Sequence, residues 1–93
     1  AYAIAGRIAL GLCASIKAHV GDLDRVEKWL RVFGMVNSAP GFTQIPAVIN
    51  GCSDTLLQIF GTKIGAHARS AVGMAELPFN VPVEIEAEVK ISA

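Results

Sequence analysis

Apolar residues recur at every fourth position near the start of the chain: Ile4, Ile8, Leu12 and Ile16, with Ala5, Ala9, Cys13 and Val20 beside them. That spacing gathers them on one face of a helix and turns Arg7, Gly11 and Lys17 outward, so a helix is predicted over 3–20. Gly21 suits its end, because glycine accepts the left-handed conformation that closes many helices. Gly21-Asp22-Leu23-Asp24 then reads as a turn. From Val26 to Val36 the period drops to two. Val26, Leu30, Val32, Gly34 and Val36 point one way, with Lys28 as the exception, and Glu27, Trp29, Arg31, Phe33 and Met35 point the other. A strand covered by helices on one side should be polar on the side that meets water. Trp29, Phe33 and Met35 on that side call for a cover of their own, and a second copy of the chain is the natural one.

Asn37 to Gly41 is a turn, and a second helix is predicted over 43–60, with Pro46 tolerated in its first turn. Its apolar stripe is Ile45, Val48, Ile49, Cys52, Leu56, Ile59 and Phe60, and Gly61 closes it. A strand follows over 68–75, then a proline-containing turn over 77–82. The last strand alternates most cleanly: Val83, Ile85, Ala87, Val89 and Ile91 inward, Glu84, Glu86, Glu88 and Lys90 on the other face. The order α-β-α-β-β implies an α+β layer with both helices on one face of a mixed sheet. The strand-helix-strand unit should be a parallel crossover, and the last two strands, joined by a short turn, should run antiparallel to each other.

Ninety-three residues make one domain, here residues 1–93. The chain is 53% hydrophobic with 8 basic and 8 acidic side chains, so its net charge is zero. No basic excess is available to displace phosphate counterions, and nucleic acid is not an expected partner. So small and apolar a domain is hard to keep soluble alone, which again points to an oligomer. Cys13 and Cys52 do not make a disulfide framework, and no metal-ligand spacing is present, so no metal or cofactor is expected. Arg7, Lys17 and His19 interrupt the apolar opening stretch, where roughly 20 clean apolar residues would be needed to cross a bilayer. A soluble cytoplasmic protein without membrane contact is the expectation. Ala1 and Tyr2 already lie in helical pattern with no initiator Met, so a partial or processed chain is expected.

Familiar catalytic signatures such as GxSxG, the P-loop, GxGxxG and HExxH are absent. Arg69 shares its strand face with the small residues Ala71, Gly73 and Ala75, leaving space for a ligand carboxylate to be held bidentately. Periodicity alone favours a cross-strand ion pair between Arg69 and one of Glu84, Glu86 and Glu88. His67 is a candidate base nearby, although a loop histidine is first of all a solvated one. His19 is explained by the helix dipole.

The run His67-Ala68-Arg69-Ser70-Ala71-Val72, then Glu76-Leu77-Pro78, then Val81-Pro82-Val83-Glu84-Ile85-Glu86-Ala87 resembles the C-terminal signature of the Rid family, also called YjgF or endoribonuclease L-PSP. Gly21-Asp22-Leu23-Asp24-Arg25-Val26 is similar to that family's turn before its central strand. Gly34 to Gly61, with Asn37-Ser38-Ala39-Pro40-Gly41-Phe42 and Val48-Ile49-Asn50-Gly51, resembles its chorismate-mutase-like branch. The resemblance covers the whole chain as the C-terminal two-thirds of one subunit, without the N-terminal strands. It implies the fold of AroH-type chorismate mutases, with the sheets forming a central barrel in a homotrimer and ligand clefts between subunits.

By the same resemblance Arg69, with Ser70 and Ala71, would hold a small carboxylate or imine ligand, and Glu84 would position the attacking water. The implied reaction is hydrolysis of enamine or imine intermediates to 2-oxo acids and ammonia. An imine is already electrophilic, so orienting it beside a water suffices without a nucleophilic side chain. Ala71 stands where many deaminating members have a cysteine, which keeps open a binding or regulatory protein without turnover. An endoribonuclease is a further alternative, and chorismate mutase activity a weaker one resting on fold alone.

Overall fold

The structure, a computed structural model, describes all 93 residues. Helix α1 spans Tyr2–Val20, strand β1 Val26–Asn37, helix α2 Ile45–Gly65, strand β2 Ala68–Met74 and strand β3 Val83–Ile91. Single turns of 3-10 helix at Leu23–Arg25 and Pro78–Asn80 lead into β1 and toward β3. The predicted elements are all present, with ends displaced by a few residues. The α+β class and the two helices on one face of a mixed sheet are as the periodicity indicated. Gly61 does break the second helix, at φ 76° and ψ 172°, and one further helical turn follows it.

The sheet order is β2-β1-β3, with β1 parallel to β2 and antiparallel to β3. The final two strands therefore run antiparallel without touching, on opposite edges of the sheet. Register assigns the faces. Val32, Gly34 and Val36 of β1 lie beside Arg69, Ala71 and Gly73 of β2 and Ala87, Ile85 and Val83 of β3, and this face carries the helices. The open face carries Arg31, Phe33 and Met35, beside Ala68, Ser70 and Val72 on one flank and Glu88, Glu86 and Glu84 on the other.

Trp29 overturns part of the sequence expectation. The β1–β3 ladder slips twice, between Val26 and Lys28 and between Trp29 and Arg31. Each slip inserts an extra residue and resets the alternation. Trp29 thus falls in step with Val26 and Val32 on the helix side, while Leu30 is left exposed at the second bulge. Trp29 is fully buried among Ala5, Ala9, Cys13, Cys52 and Leu56, and its ring lies 5.6 Å from that of Phe60. Only Phe33 and Met35 of the predicted trio face away from the helices.

Helix α1 is long and apolar enough to cross a membrane by length and composition. In this fold it buries Ala5, Ala9 and Cys13 against α2 and the sheet instead. Gly51 is the contact point of the two helices, since a Cβ there would run into the Tyr2 carbonyl and the Ala5 side chain. The second core cluster joins Val36, Val48, Ile49 and Val83, with Ala71 packed against it.

Both cysteines are free and buried. Burial pushes the Cys13 thiol up. It pushes Cys52 up to about 11, with Cys13 adding to the shift and Arg69 opposing it. Alkylation of Cys52 by iodoacetamide at pH 8 should therefore run at least roughly 100-fold slower than that of an unhindered thiol, since only the thiolate reacts. Its rate should rise about tenfold per pH unit toward pH 11. An alkylation rate at pH 8 matching a free cysteine would contradict this burial. The neutral folded thiol contributes its full stabilisation below about pH 9 and loses it as pH rises through 11, because the unfolded chain ionises first.

Candidate functional site

Helix α2 carries a polar stripe beside its apolar one. Asn50, Ser53, Asp54 and Leu57 follow at i, i+3, i+4 and i+7, which brings them onto one helical face. That face overhangs the β2 edge of the sheet. His67, just before β2, and Arg69, within it, share one side of the chain by the alternation of extended backbone. Together these six residues and Ala66 line an open cleft of about 330 Å³.

Hydrogen bonds fix the geometry. Arg69 Nη1 donates to Asn50 Oδ1 at 2.8 Å and to Ser53 Oγ at 3.2 Å. Its Nε and second terminal nitrogen make no hydrogen bond within the chain, so donors of the guanidinium fork stay available to a ligand. Ser53 Oγ lies 2.9 Å from His67 Nε2, and His67 Nδ1 lies 2.6 Å from the Gly65 carbonyl oxygen. A carbonyl only accepts, so Nδ1 carries the proton and donates; in the neutral ring Nε2 then accepts from the Ser53 hydroxyl. Lys28 Nζ donates to the carbonyls of Lys63 and Ala66. These bonds pin the end of α2, and with it the His67 segment, to the central strand. On the far side of the cleft, Tyr2 OH donates to Asp54 Oδ2 at 2.7 Å, and that hydrogen bond, followed by burial and the carboxylate charge, raises the Tyr2 phenol above its usual value.

Of the residues singled out in the sequence, Arg69 and His67 both line this cleft. Arg69 does not pair with any of the glutamates; its partners are on α2. Ala71 sits on the same strand face one step further along, packed under α2 against the Val36 cluster. Ser70 points to the opposite, open face of the sheet. Glu84 also lies on the open face, next to Met35 on the far edge strand. Within one chain Arg69 and Glu84 are therefore separated by both the thickness and the width of the sheet. Glu86 pairs loosely with Arg31 at 3.9 Å, an exposed contact of little energetic weight. Asn50, Ser53 and Asp54 were missed from the sequence. Their i, i+3, i+4 spacing was a legible signal, but nothing local says that this stripe meets β2. No group of three His, Cys, Asp or Glu side chains comes together to hold a metal ion.

Two helices on one face of a mixed β2-β1-β3 sheet, with an arginine at the mouth of an edge cleft, define an α+β fold of the Rid or L-PSP type. The chain is 44% identical over 90 residues to the protein TCP17 of Trypanosoma cruzi, which covers 97% of this chain and 56% of TCP17. A crystal structure of a protein of unknown function from Agrobacterium tumefaciens superposes with a TM-score of 0.91 at 42% identity, over 96% of this chain and 57% of that one. An endoribonuclease candidate from Shewanella oneidensis MR-1 superposes with a TM-score of 0.90 at 28% identity, over 97% of this chain and 59% of that one. The chain thus spans somewhat over half the length of these relatives. No family model matches it.

Proposed function

We propose that the Arg69 cleft binds the carboxylate of a small substrate at a subunit interface of a Rid-like homotrimer, and that a bound enamine or imine is hydrolysed there to a 2-oxo acid and ammonia. The observation that carries this reading is the free part of the Arg69 fork, held at the mouth of an open cleft by Asn50 and Ser53. The room expected beside Ala71 and Gly73 is filled by the Val36 cluster, Ser38 and Ile45, so the cleft opens instead toward Asn50, Ser53 and His67. Glu84 reaches such a cleft only from a second copy. Phe33 and Val72, both half-buried, give that copy an apolar surface to cover around the buried Met35, with Glu84 at its margin, and closing the sheets into a barrel covers them. The buried free thiols suit a reducing, cytoplasmic setting.

The test is imine turnover by the full-length protein, using imines generated from amino acids. Arg69→Ala should lower kcat/KM by roughly 100- to 1000-fold, the loss of two charge-assisted hydrogen bonds. A folded trimer that turns over no imine but still binds 2-oxo acids through Arg69 would replace the enzyme with a binding or regulatory protein, a reading that Ala71 favours. Unchanged turnover in Arg69→Ala would remove the arginine from the site. Endoribonuclease activity is a second reading, favoured by the description of the Shewanella relative. The zero net charge opposes it, and a salt-dependent RNA-binding titration decides it.

A further inference from the structure

Imine hydrolysis by orientation needs no nucleophilic side chain, yet the cleft contains one in a position to act. Ser53, His67 and Gly65 form a relay of two hydrogen bonds: the hydroxyl to Nε2 at 2.9 Å, and Nδ1 to the Gly65 carbonyl at 2.6 Å. We propose that Ser53 and His67 are a nucleophile and base that cleave esters of small dicarboxylic acids, with Arg69 holding the free carboxylate of the acyl group. The inference rests on the Arg69 cleft reading above.

Gly65 takes the part that a buried carboxylate has in serine hydrolases. It closes the single helical turn that follows the break at Gly61, so its carbonyl has no partner within the helix and is free to accept. Lys28 occupies the nearby carbonyls of Lys63 and Ala66, and leaves that of Gly65 to His67. The Gly65 carbonyl thereby fixes the imidazole tautomer and favours the imidazolium that forms when Nε2 takes a proton. Arg69 Nη1 donates to the same hydroxyl oxygen that gives its proton to His67. A cation on that oxygen stabilises the developing alkoxide. Asn50 presents its carbonyl oxygen to Arg69, which leaves its amide N–H groups as donors for an oxyanion.

The steps balance. Ser53 Oγ bonds to the ester carbonyl carbon as its proton moves to His67 Nε2. The carbon–oxygen bond to the alcohol then breaks, and the departing oxygen takes the proton from His67. Water, deprotonated by His67, bonds to the acyl carbon; the bond from that carbon to Ser53 Oγ breaks, the acid leaves, and His67 returns the proton to Ser53. One ester and one water give one carboxylic acid and one alcohol.

The experiment treats the full-length protein with a neutral alkyl fluorophosphonate and maps the adduct by mass spectrometry, alongside hydrolysis of the p-nitrophenyl hemiester of succinate and of neutral p-nitrophenyl butyrate. An adduct on Ser53 is expected, lost in Ser53→Ala and slowed roughly 100-fold or more in His67→Gln. The hemiester should be cleaved at least about tenfold faster than the butyrate, and Arg69→Ala should abolish that preference. A second readout is Ser53→Cys, whose new thiol should be alkylated by iodoacetamide faster than N-acetylcysteine, provided His67 is present. No adduct on Ser53, together with a Ser53→Cys thiol no faster than N-acetylcysteine, overturns the proposal. Retained Arg69-dependent imine turnover in that same protein would show that the proposal alone has failed. Labelling of Ser53 in a protein that binds no carboxylate would instead strike at the Arg69 reading.

Discussion

Trp29→Ala should lower the stability of the protein by about 3–5 kcal/mol, the range for emptying an aromatic site in a packed core. That is a large part of the 5–15 kcal/mol typical of a domain. The size of the effect depends on which way Trp29 faces. On the open side of the sheet, as strict alternation would place it, truncation would act on subunit association. In the structure it fills the space between β1, α1 and α2 with no exposed surface. Its loss should therefore lower the denaturant midpoint by a similar amount at every protein concentration, without weakening subunit association. Trp29→Phe supplies the control. Phenylalanine keeps most of the apolar volume and the tilted packing on Phe60, and it removes an indole N–H that has no hydrogen-bond partner. Trp29→Phe should lose much less, and chemical denaturation of both variants measures the difference. Equal losses would place the tryptophan outside the helix-facing core.

Gly51→Val should cost about 3 kcal/mol, against the direction that helix propensity gives. A glycine inside an exposed helix is normally worse than alanine by about 1 kcal/mol, and Gly11→Ala, where a new Cβ would meet nothing within 4 Å, should gain about that much. At Gly51 the new carbon would meet a backbone carbonyl of α1, which cannot rotate aside, and the Ala5 side chain. The helices must then separate, and the loss of their shared surface exceeds the gain in propensity. Thermal melting of the two variants should show opposite signs. A stabilised Gly51→Val would mean that α1 does not cross α2 at this point.

Helix and strand types, their order and most of their limits were legible because each rests on a local period. Ile4, Ile8, Leu12 and Ile16 make a helical stripe whatever surrounds them, and Val83 to Ile91 alternates without interruption. The α+β class and the placing of both helices on one face follow from those stripes. Arg69 on one face with Ala71 and Gly73 follows from alternation as well, and the register bears it out. Trp29 was not legible, because two bulges reset the phase and a bulge leaves little trace in residue type.

What the tertiary structure decided was everything that joins one element to another. Strand order put β2 and β3 on opposite edges, and register put Arg69 and Glu84 on opposite faces, a separation that their spacing along the chain does not encode. The meeting of Asn50 and Ser53 with His67 and Arg69 was equally hidden. Each stripe was visible alone, but their contact arises from the way α2 crosses back over the sheet, which is set by burial along the whole crossover and not by any residue in the cleft.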